Sequence, residues 1–262
     1  MLTVAMIKQA AENLWCAEKT REWAEPFSKL FPEATVDDAY RVGLAVRDIK
    51  IANGRSVKGH KIGLTSKAMR DLTGANEPDY GFIYDNWFAL EGAVVRRSDM
   101  NRPLVEVELA FVMGKELSGP SVNAADVIRA TDFVLPALEI VDSRYKGRGN
   151  NLLVDSISDA ASCGFVVLGG NPVKLTDVDI RRISAALSIN GSVLESGSAS
   201  AVMGNPINAV VWLANKLLEF GVAMQPGDVV LSGSFVKAIP FKEGDTLVAL
   251  YDQLGEITLR VE

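Results

Sequence analysis

Residues 104–113 read LVEVELAFVM, an apolar run interrupted only by two acids, Glu106 and Glu108. Successive side chains of a β-strand point to opposite faces, so this alternation puts both glutamates on the same face. The other face carries the apolar side chains of Val105, Val107, Leu109 and Phe111. The pattern predicts a strand with one face in the hydrophobic core and two neighbouring carboxylates on the other.

Two carboxylates held side by side need a partner. Like charges repel, and burying ionised acids without compensation is costly. A divalent cation such as Mg2+ prefers carboxylate oxygens and would relieve the repulsion. The spacing of Glu106 and Glu108 is equally compatible with the solvated face of an edge strand, so the pair alone does not establish a metal site.

A third acid, Glu139, lies in the next predicted strand, FVLPALEIVD at 133–142. A short helix is predicted between the two strands over 123–132, with Asn123 as its N-cap and Asp126 three positions later. Strand–helix–strand connections commonly bring the second strand back near the first. We therefore expect all three glutamates to face one cavity.

The chain divides into two parts by its sequence pattern. Residues 1–55 predict an N-terminal helical segment, in which the second long helix begins at Thr35. Residues 56–262 predict a mixed, β-rich catalytic domain, because short apolar runs are separated by Gly and Asp turns. A helix over 207–220, INAVVWLANKLLEF, is apolar nearly all round and is predicted to be buried.

Composition excludes several classes of protein. The chain has 262 residues and a net charge of -6, so it lacks the basic footprint of a nucleic-acid-binding protein. Its two cysteines do not provide a disulfide framework. The sequence shows neither a signal-peptide pattern nor about 18 consecutive apolar residues, so we expect no membrane partner and a cytoplasmic location.

Several motifs together resemble those of one enzyme family. They are GHKIGLTS, PDYG, LVEVELAFVM, LPALEIVDSR and GDVVLSGS, in this order along the chain. They are similar to the 2-keto-4-pentenoate hydratase family, which belongs to the fumarylacetoacetate hydrolase superfamily and includes the 4-oxalocrotonate decarboxylases. The resemblance covers nearly the whole chain, and several separate motifs are more specific than any one of them.

The resemblance implies an α+β fold, namely a mixed β-roll of the fumarylacetoacetate hydrolase type with an N-terminal helical segment. It implies that Glu106, Glu108 and Glu139 bind the metal, which would be Mg2+ with Mn2+ as a substitute. It also implies a small unsaturated 2-oxo acid as substrate. Members of the family form homo-oligomers and can associate with a sister hydratase or decarboxylase.

The resemblance also indicates a pair of residues for proton transfer. Lys61, in KGHKIGLTS, would face the substrate, because strand alternation puts it on the opposite side from His60. Asp79, in EPDYG, matches an acid that is thought to partner the lysine, although Asp beside Pro78 is also a common turn former. We expect Lys61 and Asp79 to be catalytic and His60, the only histidine, to be structural.

Two positions give opposite indications about the reaction. An acid at Asp79 is typical of the hydratases, where the decarboxylases carry an apolar residue, whereas Tyr145 in DSRY resembles the decarboxylases. Because an acid can move a proton, we expect a metal-dependent hydratase. It would add water to a 2-hydroxy-2,4-dienoate (2-oxo-4-enoate) and form a 4-hydroxy-2-oxo acid in meta-cleavage aromatic catabolism. The alternative is a 4-oxalocrotonate (2-oxo-3-hexenedioate) decarboxylase that uses the same dienolate.

Three further residues are expected to bind substrate: Arg144, Ser162 and Ser234. Arg144 fits two roles equally well, since its guanidinium can bind a substrate carboxylate or pair with Asp142. Ser162 lies in SISDAAS, where Ala160 replaces an Asn that is usual in the family. Ser234 follows a glycine in LSGS, a stretch that also suits a simple turn.

Two other classes of function fit the sequence less well. The acylpyruvate C–C hydrolases of the superfamily often use a His–Glu base on a short N-terminal helix or lid, whereas His60 lies in a predicted strand. A non-catalytic partner subunit would not need the intact set of three glutamates.

Overall fold

The chain begins with helices and continues as short strands with a few helices between them. The computed structural model describes residues 1–147 and 152–262. The α-helices, α1 to α7 in chain order, are Val4–Thr20, Phe27–Leu30, Val36–Ala52, Lys67–Thr73, Ala124–Ala130, Leu152–Ser158 and Pro206–Leu218. The strands, β1 to β13 in chain order, are Val57–Gly63, Asp79–Tyr84, Phe88–Ala89, Val94–Val95, Leu104–Met113, Thr131–Val141, Cys163–Leu168, Ser184–Ile189, Ser192–Ser198, Val229–Leu231, Ile239–Pro240, Thr246–Tyr251 and Gly255–Val261.

The long N-terminal helices begin at side chains that cap them. Helix α1 follows Thr3, whose side chain accepts a hydrogen bond from Met6 N. Helix α3 follows a capping box in which the side chains of Thr35 and Asp38 each accept a hydrogen bond from the other's backbone N–H. The expected helix start at Thr35 is confirmed, and α3 ends at Asn53.

A buried lysine joins the N-terminal helices to the β-rich body. Lys50 of α3 pairs with Glu18 of α1 at 2.5 Å, and its Nζ lies 4.1 Å from the ring centroids of both Tyr84 and Trp87. Burial lowers the pKa of Lys50 to about 8. The helices therefore pack directly on the strands, and the division of the chain at residue 55 into two units stays a prediction.

The larger sheet mixes parallel and antiparallel neighbours. Its strand order is β2-β1-β10-β5-β6-β7-β3, and β11 pairs with β5 at the end of that strand. The pairs β1–β10 and β3–β7 are parallel, whereas β5 is antiparallel to both β10 and β6. Together with the helices, this mixed sheet confirms the expected α+β class.

A second sheet packs against the first. Its order is β4-β13-β12-β8-β9. From β12, the hydroxyl of Tyr251 reaches the larger sheet and donates to the carbonyl oxygens of Glu108, at 3.0 Å, and Ala137, at 2.6 Å. This contact fixes the second sheet behind the strands that carry the glutamates.

The pairing of β5 with β6 sets the position of the glutamates. Helix α5 lies between these strands and begins at the expected capping box of Asn123 and Asp126. The chain then returns as the antiparallel neighbour of β5, with Glu106 directly opposite Glu139. The prediction that the two strands would lie together is confirmed.

Helix α7 differs from its prediction in one respect. It buries one face, including Ile207, Val210 and Leu213, while Leu218 is 40% exposed. The half-buried Trp212 donates from its indole N–H to Glu77 at 3.3 Å. The helix was predicted to be buried, but only one of its faces lies in the core, and some of its apolar residues remain at the surface. Within the described ranges, no helix combines the length and the apolar character needed to cross a bilayer.

Candidate metal centre and active site

Three carboxylates converge on the face of the larger sheet that was expected to carry them. One oxygen each from Glu106, Glu108 and Glu139 lies within 4.8 Å of the others. Glu106 is half-buried, and Glu108 and Glu139 are fully buried. Strand alternation brings Glu106 and Glu108 to this face, and the β5–β6 register adds Glu139.

A glycine amide orients one of the three carboxylates. The N–H of Gly233 donates to Glu108 Oε2 at 2.8 Å. Gly233 adopts a φ of +107°, and a Cβ there would lie 2.3 Å from Thr65 Oγ1. The loop after β10 therefore needs glycine at this position in order to aim its N–H at Glu108.

The electrostatics of the three carboxylates favour a cation. Burial raises the pKa of Glu106 to about 7 and raises the pKa of Glu108, with a further contribution to both from the charge of Glu139. Among the described residues, Glu108 Oε1 accepts no hydrogen bond, and Glu139 Oε1 has Lys61 as its ion-pair partner. Carboxylate oxygens from three glutamates within 4.8 Å of one another fit a hard divalent ion such as Mg2+.

Lys61 stands next to the carboxylates. Its Nζ lies 3.1 Å from Glu139 Oε1 and donates to the carbonyl oxygen of Ala161 at 3.0 Å. Burial alone would lower the pKa of Lys61, but the neighbouring carboxylates, above all Glu139, raise it. Lys61 therefore carries a positive charge at neutral pH.

The side chains of Asp79 and Lys61 both lie next to Gly63. In the antiparallel pairing of β1 with β2, Asp79 lies opposite Gly63. A Cβ at Gly63 would come within 2.2 Å of Asp79 Oδ1 and 3.7 Å of Lys61 Nζ. Ser156 donates to Asp79 Oδ2 at 2.8 Å, while Oδ1 has no hydrogen-bond partner among the described residues. Burial raises the pKa of the Asp79 carboxyl.

A strained turn completes this part of the site. Ala160, Ala161 and Ser162 adopt φ values of 51°, 50° and 60°, a left-handed conformation that is costly for residues other than glycine. The turn aims the Ala161 carbonyl at Lys61. It also packs closely on β2, since a Cβ at Gly81 would lie 2.0 Å from the carbonyl oxygen of Ala160. A side chain at Gly81 would displace the turn.

An open cleft lies beside these residues, and we call it the active-site cleft. Its volume is about 310 Å3. Its described lining residues are Met69, Thr73, Arg102, Ser143, Tyr145, Gly147, Leu152, Asp155, Ser156 and Ser162. Ser156 bonds to Asp79, and Ser162 directly follows the carbonyl that accepts from Lys61. The cleft therefore leads to Lys61 and Asp79.

A second and larger cavity of about 490 Å3 lies elsewhere, and we call it the cationic cavity. It contains none of the three glutamates, and its charged lining includes the exposed residues Lys19, Arg21, Arg55 and Arg96. Neither cavity is lined by the glutamates themselves, but the active-site cleft includes Ser156, which bonds to Asp79, whereas the lining of the cationic cavity does not.

Arg144 makes several hydrogen bonds within the protein, and the expectation that it binds substrate stays a prediction. Its guanidinium donates to the carboxylate and carbonyl of Asp159 and to the carbonyls of Asp142 and Cys163. The Asp142 carboxylate, the other suggested partner, instead accepts from the backbone N–H of Arg102. A buried guanidinium whose four hydrogen bonds engage all three of its nitrogens holds this part of the chain together.

The structure also argues against Ser234 as a substrate residue. Its hydroxyl lies 3.2 Å from the carbonyl of Val107 and 2.9 Å from that of Val236, so its one proton is used within the turn. Ser162 differs, since it is half-buried and lines the active-site cleft. A substrate contact from Ser162 stays a prediction.

His60 and Tyr145 both lie close to the site, but neither points a free polar group into it. His60 packs 5.2 Å from Phe82, on the opposite side of β1 from Lys61, and burial with nearby Arg47 lowers its pKa to about 3. The expected non-catalytic orientation of His60 is confirmed. Tyr145 lines the cleft but is buried, with its hydroxyl 2.9 Å from Ser158 Oγ.

Two residues of this region were missed in the sequence. Ser156, which holds Asp79 across 77 positions of the chain, gives no local signal. Arg102 gives none either, because it lies in a bend two residues before β5 begins.

Comparisons with known proteins agree with this arrangement. A sequence profile described as the fumarylacetoacetate (FAA) hydrolase C-terminal family matches residues 50–262. A 2-oxo-hept-4-ene-1,7-dioate hydratase from Escherichia coli is 43% identical over 255 residues, which cover 95% of this chain and 96% of the relative. A 2-hydroxyhexa-2,4-dienoate hydratase from Comamonas testosteroni is 36% identical over 256 residues, which cover 97% of each chain.

A solved structure is similar over its full length. The 4-oxalocrotonate decarboxylase from Pseudomonas putida G7, complexed with magnesium and adipate, matches with a TM-score of 0.96 and 34% identity, covering 100% of this chain and 99% of that chain. The divalent ion in that protein agrees with the divalent-metal site that the three carboxylates form here. With the profile, the relatives and the fold in agreement, the chain belongs to the fumarylacetoacetate hydrolase family, among relatives that are hydratases and decarboxylases.

Proposed function

We propose that the protein is a metal-dependent hydratase that adds water to a 2-hydroxy-2,4-dienoate (2-oxo-4-enoate) and forms a 4-hydroxy-2-oxo acid. The observation that carries the proposal is the buried acid Asp79, which lies beside Lys61 and has one carboxylate oxygen without a partner among the described residues. Hydration needs a group that positions water and moves a proton, and Asp79 supplies one. The hydratase from Escherichia coli with 43% identity supports the same reaction.

The metal would be held by Glu106, Glu108 and Glu139, with Glu108 oriented by the Gly233 N–H. Mg2+ is our first choice, and Mn2+ would accept the same oxygen ligands. When bound, the ion would act as a Lewis acid toward the oxygen on C2 of the substrate. The site provides the charge balance for it, because among the described residues Lys61 pairs with one of the three carboxylates, that of Glu139.

Lys61 and Asp79 would divide the proton chemistry. Lys61 lies beside Glu139, so its amino group can donate a hydrogen bond to negative charge that develops on the substrate oxygen. Burial favours the protonated form of Asp79, which can deliver a proton to the terminal carbon. The proton of the C2 hydroxyl passes to solvent as the carbonyl forms. The resulting Asp79 carboxylate can then accept a proton from the water that adds at C4, and a proton from solvent returns to C3 to complete the 4-hydroxy-2-oxo acid. Ser156 would hold the carboxyl in place during both steps.

The decarboxylase remains the second candidate because Tyr145 resembles the decarboxylases and a decarboxylase shares the fold at a TM-score of 0.96. The deciding experiment incubates the purified protein and Mg2+ with 2-hydroxypenta-2,4-dienoate and, separately, with 2-oxohex-3-enedioate. Mass spectrometry then distinguishes a gain of water from a loss of CO2. We expect water gain; CO2 release without any hydration would overturn the proposal in favour of the decarboxylase.

We also infer a homo-oligomer. Support comes from apolar side chains at the surface, among which Leu90 is 83%, Val193 is 65% and Leu250 is 57% exposed. Association with a sister hydratase or decarboxylase is compatible with such a surface, and a cytoplasmic location is proposed with it. Light scattering at micromolar concentration tests the oligomer, and a monomer there would contradict it.

A further inference from the structure

One cation lies just before β5, the strand that carries two of the glutamates. Arg102 lies in a bend two residues before β5 begins at Leu104. The backbone N–H of Arg102 donates to Asp142 Oδ1 at 2.6 Å, which fixes the main chain. Its guanidinium is exposed and has no hydrogen bond or ion pair with any described residue.

The active-site cleft connects Arg102 with the proposed catalytic pair. Arg102 is the one positively charged residue among the described residues that line the cleft. Elsewhere in its lining, Ser156 lies 2.8 Å from Asp79 Oδ2, and Ser162 follows the carbonyl that accepts from Lys61. A volume of about 310 Å3 is in the range of small-molecule sites.

The spacing along β5 suits a short chain with a charge at each end. Arg102 lies four positions before Glu106 along the chain, so their Cα atoms are at most roughly 14 Å apart. The arginine and glutamate side chains occupy part of that distance. The remainder is comparable with the length of a six- or seven-carbon acid whose first carboxylate lies at the glutamates.

The cleft lining between the two ends suits a carbon chain. Met69, Tyr145 and Leu152 contribute apolar surface, and Ser162 lies toward the Lys61 end. The one acid in the described lining, Asp155, is already bound, since it accepts hydrogen bonds from the backbone N–H and the hydroxyl of Ser28. A substrate carboxylate near Arg102 could therefore pair with the arginine, while the Asp155 carboxylate is occupied by Ser28.

We infer that Arg102 binds a second carboxylate at the far end of the substrate, so that the protein prefers an unsaturated 2-oxo dicarboxylate to the corresponding monocarboxylate. This inference rests on the proposed function for the identity of the 2-oxo end. Arginine suits the role, because its planar guanidinium can bind a carboxylate through two parallel hydrogen bonds. Arg102 is thereby a specificity-determining residue.

The test uses ligands that bind but cannot be hydrated. 2-Oxoadipate and 2-oxohexanoate have the same chain length and the same 2-oxo acid end, and only the first has a terminal carboxylate. Calorimetry with the Mg2+-loaded protein should show 2-oxoadipate binding about tenfold or more tightly. In Arg102→Met the two ligands should bind equally, at the wild-type affinity for 2-oxohexanoate, and Arg102→Lys should keep part of the preference.

The matched control is Arg55→Met, which removes an exposed arginine from the cationic cavity and should leave the preference unchanged. Equal affinity of the wild-type protein for the two ligands overturns the inference without any variant. A preference that persists in Arg102→Met also overturns it. Failure of the proposed function is a separate result, because it would appear as no water gain with either an unsaturated mono- or dicarboxylate while 2-oxoadipate still binds through Arg102.

Discussion

Glu106 of β5 and Glu139 of β6 are direct cross-strand neighbours in an antiparallel pair. The pairing therefore holds two acids against each other, and Glu108 joins them from two residues further along β5. In a buried setting such an arrangement is unfavourable unless protons or a cation neutralise it, which is why burial raises the pKa of Glu106 to about 7. A divalent ion held by the three carboxylates would offset the cost of keeping the acids together.

Glu106→Gln should weaken Mg2+ binding without unfolding the protein. The substitution keeps the shape of the side chain and removes one charged ligand, so the remaining carboxylates repel each other less. The loss of affinity should exceed the roughly tenfold to hundredfold that follows from losing an outer partner of a ligand. Calorimetric titration with Mg2+ measures it, and thermal unfolding of the metal-free variant should occur at or above the wild-type temperature.

The control for this variant is Glu116→Gln, which changes an exposed glutamate and should bind Mg2+ as the wild type does. Unchanged affinity in Glu106→Gln would remove Glu106 from the metal site.

Gly63→Ala should reduce hydration while Mg2+ still binds. The new Cβ would lie 2.2 Å from Asp79 Oδ1, so the Asp79 carboxyl must move away from Lys61 and from Ser156. A displacement of about 1 Å in a catalytic group can lower the rate by roughly a hundredfold. Steady-state rates and Mg2+ titration test the prediction. Gly170→Ala is the control, since its Cβ would meet only Glu91 Oε2 at an ordinary 3.7 Å; equal loss in both variants would contradict it.

The strand pattern predicted the metal centre because its information is local. Alternation in residues 104–113 determines the face of Glu106 and Glu108, and the return of the chain through α5 makes Glu139 their neighbour. The helix start at Thr35 was predictable for the same reason, since a cap depends on residues three positions apart.

The parts of the site that the sequence did not predict depend on contacts between distant parts of the chain. Arg144 is engaged by Asp159 and by the carbonyl of Cys163, and neither contact can be read from DSRY. The left-handed turn at Ala160, Ala161 and Ser162 contains no glycine that would indicate it. Its geometry is imposed by close packing on Gly81, which only the folded structure shows.

Lys50 should make the protein more stable as the pH rises from 8 to 10. Burial lowers the pKa of Lys50 to about 8 in the folded protein, whereas an unfolded lysine keeps its proton to about 10.4. In this window the unfolded chain binds more protons, so the free energy of unfolding increases with pH. The gain should be on the order of 2 kcal/mol and absent in Lys50→Met. Urea unfolding at several pH values measures it.

The control is Lys19→Met, which changes an exposed lysine and should keep the wild-type increase in the free energy of unfolding with pH. The same increase in Lys50→Met would contradict the prediction.

Asp79→Ile should abolish most hydration and leave the metal centre intact. Asp79 is 1% exposed and contacts Ser156, not the three glutamates, so an apolar side chain of similar size removes the proton carrier without removing a ligand. General acid–base groups contribute about a hundredfold to ten-thousandfold, and we expect a loss of that size. An apolar surround also disfavours the charge of a carboxylate that leaves as CO2. In the variant, the ratio of decarboxylation to hydration should therefore rise with 2-oxohex-3-enedioate as substrate.

Asp79→Asn separates the two effects, because it keeps the polarity but cannot carry the proton. Assays of both substrates by mass spectrometry, with Mg2+ affinity measured in parallel, decide the matter: hydration that survives in Asp79→Asn with bound metal would show that Asp79 does not move the proton.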